Sequence, residues 1–441
     1  MREHQVINEQ RRERAVVAAI IDGSRDVDDA LEEMRELLDT AGVDTVGQLA
    51  QRRDDPHPVT YLGAGKLEEL KRLVEHLDPD ILVIDDDLSP RQQRALEDRF
   101  DRRVLDRTAV ILDIFALHAH TAEGKLQVEL AQLEYNLSRM RGMWKHLERL
   151  GGGVGTRGPG ESQLETDRRL ARRRISMLRK RLEEVGTHRT TMRSRRQESI
   201  VPKVALAGYT NAGKSTLLNA LTGAKVSMAN RLFETLDPTT RAYERGGRRY
   251  LITDTVGFIE RLPHGLVDAF ASTLEETLLA DCIVLVADGS LPDERLRANI
   301  DAVRDVLAEI GAGDIPYVLC LNKIDRIDTD ERERLQRAWP DAVLVSARGG
   351  ERLDDLTRVV AERFADRFQS VHLLVPYTEA GVLAELYRAG APVTRSDEAD
   401  GIHASAFLPH RMVGRVERYR VLDHEMPEAR AAQSDTSGAG S

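Results

Sequence analysis

The chain has few cysteines, few aromatic residues and no long apolar run among its 441 residues. Its two cysteines, Cys282 and Cys320, each lie in an apolar stretch typical of a buried strand, so we expect reduced core residues. No stretch approaches the roughly 18 apolar residues of a membrane span, and the first residues lack the basic-then-apolar pattern of a signal peptide. We therefore expect a cytoplasmic protein without stable membrane insertion, with peripheral membrane association left open.

Lysine is also scarce, with nine lysines against 55 arginines and 74 acidic residues. The net charge of −10 excludes a protein that coats nucleic acid uniformly, so any contact with RNA must come from a local basic patch. The length is enough for about two to four domains.

Residues Gly208–Ser215 match G-x-x-x-x-G-K-[ST], the pattern of a phosphate-binding loop. A chance glycine-rich turn is disfavoured because an apolar strand precedes the stretch and a helical pattern follows it. Glycines let successive backbone N–H groups point at one phosphate, and the helix beginning near Lys214 adds the positive end of its dipole. We expect Lys214 to neutralise the β- and γ-phosphates and Ser215 to bind Mg²⁺.

Two further elements of a nucleotide site follow this loop. Asp254-Thr255-Val256-Gly257 matches D-x-x-G at a strand end, where the aspartate supports the metal and the glycine N–H meets the γ-phosphate. In the threonine-rich stretch 233–240, one threonine should complete the Mg²⁺ site and sense the γ-phosphate. Spacing alone leaves Thr235, Thr239 and Thr240 open.

The base-recognition elements come last. Asn322-Lys323-Ile324-Asp325 and Ser346-Ala347-Arg348 each follow an apolar strand. A carboxylate at Asp325 accepts hydrogen bonds from guanine that adenine cannot supply, and leaving it unpaired is costly. We expect Lys323 to lie along the base and the Ala347 N–H to meet the guanine oxygen. These motifs, in this order, predict a domain that binds GTP.

A long helical region precedes the nucleotide domain. Apolar residues step by four and three from Leu126 and again from Ala171, which predicts an antiparallel helical hairpin. Trp144 lies on the apolar seam, with base stacking as its alternative role. The connection 151–163 is glycine-rich and longer than a helical turn needs, although a plain flexible linker has the same composition. The second helix carries many cations, which favours contact with an RNA backbone over a merely solvated face. These are Arg168, Arg169, Arg172, Arg173, Arg174, Arg179, Lys180, Arg181, Arg189, Arg193, Arg195 and Arg196.

Before the hairpin, apolar strands alternate with helical stretches and predict a small α/β domain. Gly63–Lys66 precedes a helix and is a weak candidate for a second nucleotide site, although a strand-to-helix turn explains it equally well. Asp85–Asp87 is interpreted as a solvated acidic turn, with a cation site as the alternative. His118 and His120 lack partners at zinc spacing and are expected to be structural. The predicted strands are 16–21, 81–85 and 104–106.

Three longer stretches are distinctive beyond the nucleotide motifs: Gly152–Asp167 with the arginines after it, Tyr61–Lys66, and Thr235–Thr239. With them, the chain resembles the HflX family of translation-associated GTPases over nearly its whole length apart from the two ends. In that family the threonine before Leu-Asp-Pro binds magnesium, which implies this role for Thr235. The resemblance also implies binding to the large ribosomal subunit and its ribosomal RNA, with the hairpin tip reaching toward the peptidyl-transferase region.

Phe258 stands where many small GTPases place the glutamine that orients the attacking water. Because an apolar ring cannot orient water, we expect slow intrinsic hydrolysis that docking on the ribosome accelerates. Arg231 and Arg241 flank the threonine-rich stretch and are candidates for an arginine finger. A helix predicted at 265–280 is expected to transmit the nucleotide state.

The sequence therefore predicts a multidomain α/β protein that hydrolyses GTP to GDP with Mg²⁺ and couples this to ribosome splitting, rescue or subunit biogenesis. We expect a monomer off the ribosome. The alternative is a nucleotide-gated RNA-binding or ribosome assembly factor in which hydrolysis is incidental and the N-terminal domain binds ATP.

The predicted units are an N-terminal α/β domain (1–117), a basic helical hairpin (118–199) with its tip loop at 151–163, a P-loop GTPase domain (200–367), a small C-terminal α+β domain (368–428) and a disordered tail (429–441). The predicted catalytic residues are Lys214, Thr235 and Gly257, the metal ligands are Ser215 and Thr235, and the nucleotide-binding residues are Gly208, Tyr209, Thr210, Asn211, Ala212, Gly213, Lys214, Ser215, Phe233, Glu234, Thr235, Leu236, Asp237, Asp254, Thr255, Val256, Gly257, Asn322, Lys323, Ile324, Asp325, Ser346, Ala347 and Arg348.

Overall fold

The computed structural model shows three β-sheets and a long helical segment between the first two of them. None of its described helices is both long enough and apolar enough to cross a membrane. The residues that the structure describes are 11–21, 27–140, 159–197, 201–223, 232–233, 235–236, 238–245, 248–259, 276–365, 368–388, 391 and 393–421.

The N-terminal unit is a four-stranded parallel sheet with strand order β2-β1-β3-β4. Alternate residues of β1 enter the apolar clusters on opposite faces of the sheet, with α1 and α4 on one side and α2 and α3 on the other. The elements are β1 (Glu13–Ile21), α1 (Val27–Thr40), β2 (Val43–Arg52), α2 (Ala64–Leu77), β3 (Ile81–Ile84), α3 (Pro90–Phe100), β4 (Arg103–Asp106) and α4 (Arg107–His118).

Two helices form the following segment, α5 (Ala122–Arg139) and α6 (Pro159–Gln197). Ala171, Ile175 and Leu178 are buried along α6, as the predicted apolar spacing requires. Arg174 pairs with Glu129 of α5 at 2.6 Å, and Arg179 pairs with Glu134 at 2.8 Å, so ion pairs flank the apolar stripe.

Helix α6 begins at Pro159, inside the tip loop predicted for 151–163. Proline favours the first helical position because its φ is preset and its missing N–H would have no partner there. The predicted loop end at Gln163 is therefore wrong. Trp144 and residues 151–158 lie outside the described residues.

The nucleotide-binding unit is a six-stranded sheet with order β10-β9-β8-β5-β7-β6, parallel except for β6 at one edge. Strands β6 and β7 lie on one side of β5, whereas β8, β9 and β10 lie on the other, and ligands bind at such a switch point. The elements are β5 (Lys203–Gly208), α7 (Lys214–Thr222), β6 (Thr239–Arg245), β7 (Arg248–Asp254), β8 (Cys282–Asp288), α8 (Asp293–Glu309), β9 (Tyr317–Asn322), α9 (Thr329–Ala338), β10 (Val343–Leu344) and α10 (Leu353–Ala365).

The C-terminal unit is an antiparallel sheet with order β12-β13-β11-β14, whose apolar residues pack on two short helices. Phe368 of β11 meets Phe364 of α10 edge-on, which joins this sheet to the nucleotide-binding unit. The elements are β11 (Phe368–Val375), α11 (Gly381–Arg388), β12 (Val393–Glu398), β13 (Gly401–Pro409), α12 (His410–Val416) and β14 (Arg420–Val421).

Two sequence interpretations of individual residues can be compared with the structure. Cys282 and Cys320 are buried and unbridged, as expected, and burial raises the pKa of the Cys320 thiol to about 12. The interpretation of Asp85 as part of a solvated turn is wrong, because its carboxylate is buried and accepts a 2.7 Å hydrogen bond from the buried Arg107.

Candidate active site

The phosphate loop connects β5 to α7. Asn211 and Gly213 adopt positive φ angles of 60° and 94°, which turns the chain sharply before the helix. At Gly208 a Cβ atom would lie 2.1 Å from the carbonyl oxygen of Val286, so the loop can leave the sheet here only with glycine. The sequence thus places a helix N-terminus and its free N–H groups at the carboxyl end of the central strand, where an anion binds well.

Lys214 extends into this loop rather than into solvent. Its ammonium group donates hydrogen bonds to the carbonyl oxygens of Gly208, at 3.0 Å, and Tyr209, at 2.9 Å. Burial lowers the pKa of Lys214 to about 8, against the opposing effect of the nearby Asp254 carboxylate. The side chain is therefore a buried cation, fixed by backbone oxygens, in the position where the motif needs one.

Ser215, Thr235 and Asp254 converge on one another although they come from α7, the threonine-rich stretch and β7. The Ser215 and Thr235 hydroxyls lie 2.9 Å apart and donate to Asp254 Oδ2 at 2.7 Å and 2.8 Å. The Thr240 hydroxyl instead lies 2.9 Å from that of Thr253. Spacing left three threonines open, and the structure places Thr235 beside Ser215, the predicted metal ligand.

This oxygen cluster matches the chemistry of a hard cation. Asp254 is fully buried, and its Oδ1 atom has no hydrogen-bond partner among the described residues. Burial raises the pKa of Asp254, while Lys214 and the two hydroxyls oppose that shift. Mg²⁺ prefers oxygen ligands and keeps several waters, so two hydroxyls backed by a carboxylate fit it well.

The D-x-x-G segment lies directly against the phosphate loop. The Phe258 N–H donates to the Gly208 carbonyl at 3.1 Å, and the Phe258 carbonyl accepts from the Thr210 N–H at 2.7 Å. A Cβ at Gly257 would lie 3.0 Å from the Lys214 ammonium nitrogen, so this glycine allows the close approach. The Phe258 ring is buried in the apolar core.

Asn322 joins the phosphate loop to the base-recognition loop. Its amide donates to the Ala212 carbonyl and its Oδ1 accepts from the Ala347 N–H, both at 2.9 Å. The Ala347 N–H, which we expect to meet the guanine oxygen, thus donates to the Asn322 amide oxygen in this structure. Lys323 adopts a positive φ of 67° and pairs with Asp288 at 2.7 Å.

Asp325 is exposed and accepts a 2.6 Å hydrogen bond from the buried Ser346 hydroxyl. That hydrogen bond holds the pKa of Asp325 below its usual range, so the carboxylate stays ionised and able to accept hydrogen bonds from the N–H groups of a base. Arg348 is exposed beside it, whereas the Ile324 side chain is buried in the core.

The remaining residues that the sequence assigned to the nucleotide site or its neighbourhood are either buried, paired elsewhere or outside the described residues. The side chains of Phe233 and Leu236 are buried in the apolar core, so only their backbone is available to a ligand. The exposed Arg241 donates to the carbonyl of Thr240, its own neighbour. Arg231, Glu234, Asp237 and most of the helix predicted at 265–280 lie outside the described residues.

The N-terminal candidate site at Gly63–Lys66 has the contacts of a turn. The Gly63 N–H donates to the Gln51 side chain at 2.9 Å, and Lys66 pairs with Glu69 at 2.8 Å. A cavity of about 230 Å³ between α3, β4, α4 and α5 is lined by none of residues 63–66. These contacts favour the strand-to-helix turn over a second nucleotide site.

Sequence reasoning missed a contact between the N-terminal unit and the phosphate loop. The Tyr209 hydroxyl donates to Glu33 Oε2 of α1, and the Leu232 N–H donates to the Thr40 hydroxyl at 3.1 Å. Phe233 packs edge-on against Phe115 of α4, with ring centroids 4.7 Å apart. No local sequence pattern predicts these contacts, because the partners are far apart in sequence; Tyr209 and Glu33, for example, are separated by 176 residues.

Comparison with known proteins gives matches along most of the chain. Residues 28–116 match the family model for the GTP-binding GTPase N-terminal region, residues 118–196 that for the GTP-binding GTPase middle region, and residues 203–323 that for a 50S ribosome-binding GTPase. The GTPase HflX of Lacrimispora saccharolytica is 44% identical over 402 residues, which cover 91% of this chain and 94% of the relative. The chain belongs to the HflX GTPase family. It binds GTP and GDP and hydrolyses GTP.

A second HflX relative and one solved structure can be compared with the chain. The GTPase HflX of Escherichia coli is 43% identical over 385 residues, 86% of this chain and 88% of the relative. A solved GTP-binding protein of the archaeon Sulfolobus solfataricus, in complex with GDP, is 27% identical with a TM-score of 0.41, covering 79% of this chain and 98% of that chain.

Proposed function

We propose that this GTPase binds the large ribosomal subunit through the cationic face of α6, and that its nucleotide state controls this binding. The observation that carries the proposal is a set of exposed cations in a chain whose net charge is −10. Among the described residues, these cations make no ion pair, so their charge is available to phosphate. They are Arg169, Arg172, Arg173, Lys180 and Arg181.

The chemistry at the nucleotide follows from the site. Lys214 and the N–H groups of the phosphate loop stabilise negative charge on the phosphates, and Asp325 selects guanine. Ser215 and Thr235 would hold Mg²⁺, with Asp254 behind them, and the ion would supply Lewis-acid stabilisation of the phosphate oxygens. The buried Phe258 ring leaves the attacking water without a glutamine, which supports slow hydrolysis in isolation and faster hydrolysis on the ribosome.

The proposed role is to couple GTP binding and hydrolysis to ribosome splitting, rescue or subunit biogenesis. The model matched by residues 203–323 is described as a 50S ribosome-binding GTPase, which supports the same subunit as partner. The partner surface on α6 is separate from the nucleotide site, so it can be tested by itself.

The experiment compares two double variants that remove equal charge from α6. Arg172→Gln/Arg173→Gln removes two unpaired cations, whereas Arg174→Gln/Arg179→Gln removes two that pair with Glu129 and Glu134. Affinity for purified large subunits is measured over a series of salt concentrations. The first variant should reduce the salt slope by about 1.4–1.8, since each phosphate contact contributes about 0.7–0.9. The paired-arginine variant should change the slope much less, and equal slopes for the two variants would contradict the proposed surface.

A further inference from the structure

The N-terminal unit reaches the nucleotide site through the side chain of Tyr209. This residue is the second of the phosphate loop, and its hydroxyl donates to Glu33 Oε2 on α1. The motif tolerates any residue at this position, so the contact belongs to this chain's own architecture rather than to the phosphate-binding pattern.

The Glu33 carboxylate also accepts a hydrogen bond from a buried guanidinium group. Arg107, the first residue of α4, donates one hydrogen bond to Glu33 Oε1 and another, of 2.7 Å, to Asp85 at the end of β3. Arg107 and Asp85 are both almost completely buried. Glu33 itself is partly buried, and one of its carboxylate oxygens accepts from Arg107 while the other accepts from Tyr209. The result is a continuous chain of hydrogen bonds from the N-terminal sheet to the phosphate loop.

The backbone of Tyr209 sets the position of Lys214. The Tyr209 carbonyl accepts hydrogen bonds from the Lys214 ammonium at 2.9 Å and from the Ala212 N–H at 3.2 Å. Its neighbours on either side, Gly208 and Thr210, exchange hydrogen bonds with Phe258. A displacement of the Tyr209 side chain therefore moves a carbonyl that fixes the cation needed by the phosphates.

Helix α1 also holds the opposite side of the site. Thr40, two turns beyond Glu33, accepts the Leu232 N–H at 3.1 Å, and Phe115 packs on the ring of Phe233. Thr235, whose hydroxyl meets Ser215 and Asp254, follows two residues after Phe233. One rigid helix thus contacts both the phosphate loop and the stretch that carries the predicted metal ligand.

We propose that Glu33 is a positioning residue for GTP hydrolysis, which orients the phosphate loop and Lys214 by holding the Tyr209 hydroxyl from the N-terminal unit. Glu33 does not touch the reacting atoms. The proposal rests on the GTPase activity alone and is independent of the ribosomal partner, so it is tested without ribosomes.

The test is a double-mutant cycle with Tyr209→Phe and Glu33→Ala, measured as kcat and KM for GTP. Each single variant should lower kcat about three- to tenfold, because a misplaced cation loses transition-state stabilisation more than ground-state binding. The double variant should be no slower than the worse single variant, since both changes break the same hydrogen bond. Glu32→Ala, an exposed position on the same helix whose carboxylate pairs with Arg35, serves as the matched control and should leave kcat unchanged.

Thermal melting separates positioning from folding. Tyr209→Phe removes a single oxygen atom and leaves the pairing of Arg107 with Asp85 in place, so its melting temperature should stay close to that of the parent chain. A lowered kcat with an unchanged melting temperature supports the proposal. An unchanged or raised kcat for Tyr209→Phe, or fully additive losses in the cycle, would overturn it.

Discussion

The side chain of Asn322 connects the phosphate loop to the base-recognition loop. Replacing it with alanine removes the donor to the Ala212 carbonyl and the acceptor for the Ala347 N–H, both at 2.9 Å. Ala212 and Ala347 are 1% and 4% exposed, so water cannot replace the lost partners without the loops moving. A buried polar group left without a partner costs about 1–3 kcal/mol. We therefore expect Asn322→Ala to reduce the free energy of unfolding of the nucleotide-binding unit by about 2–4 kcal/mol.

The assay uses the small number of tryptophans. The chain has two, Trp144 and Trp339, and Trp339 lies in the nucleotide-binding unit at the end of α9. In a Trp144→Phe background, fluorescence during urea unfolding reports on that unit alone. With a urea dependence of about 2–3 kcal/mol per molar, the midpoint should fall by roughly 1 M.

A control variant shows whether the loss is specific to these hydrogen bonds. Asp305→Ala changes an exposed position of α8 and should alter stability by no more than about 0.5 kcal/mol. A loss below about 0.5 kcal/mol for Asn322→Ala would refute the reasoning, because it would mean that the two loops do not depend on this side chain.

Three further predictions concern the phosphate side of the site. Thr235→Val should raise the Mg²⁺ concentration that half-saturates GTP hydrolysis at least tenfold, by loss of one ligand worth about 1.4 kcal/mol or more, whereas Thr240→Val should not; equal shifts for the two would exclude the assignment of Thr235. Gly208→Ala should abolish GDP binding in a calorimetric titration, because its Cβ would lie 2.1 Å from a carbonyl oxygen of β8, and a variant with parental affinity would contradict this. The pKa of Lys214 is lowered to about 8 in the free protein, and bound phosphate raises it by favouring the charged form. The affinity for GDP should therefore be highest below pH 8 and should fall as the pH rises above 8. An affinity for GDP that does not change between pH 7 and pH 9 would contradict this assignment.

The sequence alone was sufficient for those parts of the site that short motifs specify. The phosphate loop, Asp254 and Asn322 each follow an apolar strand, so their meeting at one edge of a parallel sheet could be inferred from the pattern. Thr235 was selected only by family resemblance, because three threonines satisfy the spacing and the hydrogen bond to Asp254 appears only in three dimensions.

Other features had no local signal. Strand β2 is a partly exposed edge strand with a mixed sequence, so it lacks the apolar run that marked β1 and β3. Asp85 looked like part of a solvated turn because its partner, Arg107, is 22 residues away. The contact of Glu33 with Tyr209 joins units far apart in sequence, and neither residue type predicts the other.

The measurement that tests the account most directly is co-sedimentation with large ribosomal subunits in three nucleotide states. The parent chain and Asp325→Asn are each incubated with subunits and a non-hydrolysable GTP analogue, GDP or no nucleotide. We predict that the parent chain binds with the analogue and much less with GDP or without nucleotide, and that Asp325→Asn loses the response to the analogue because its side chain no longer offers guanine a carboxylate. Binding of the parent chain that is equal in all three states, or absent in all of them, would contradict a GTP-controlled ribosomal function.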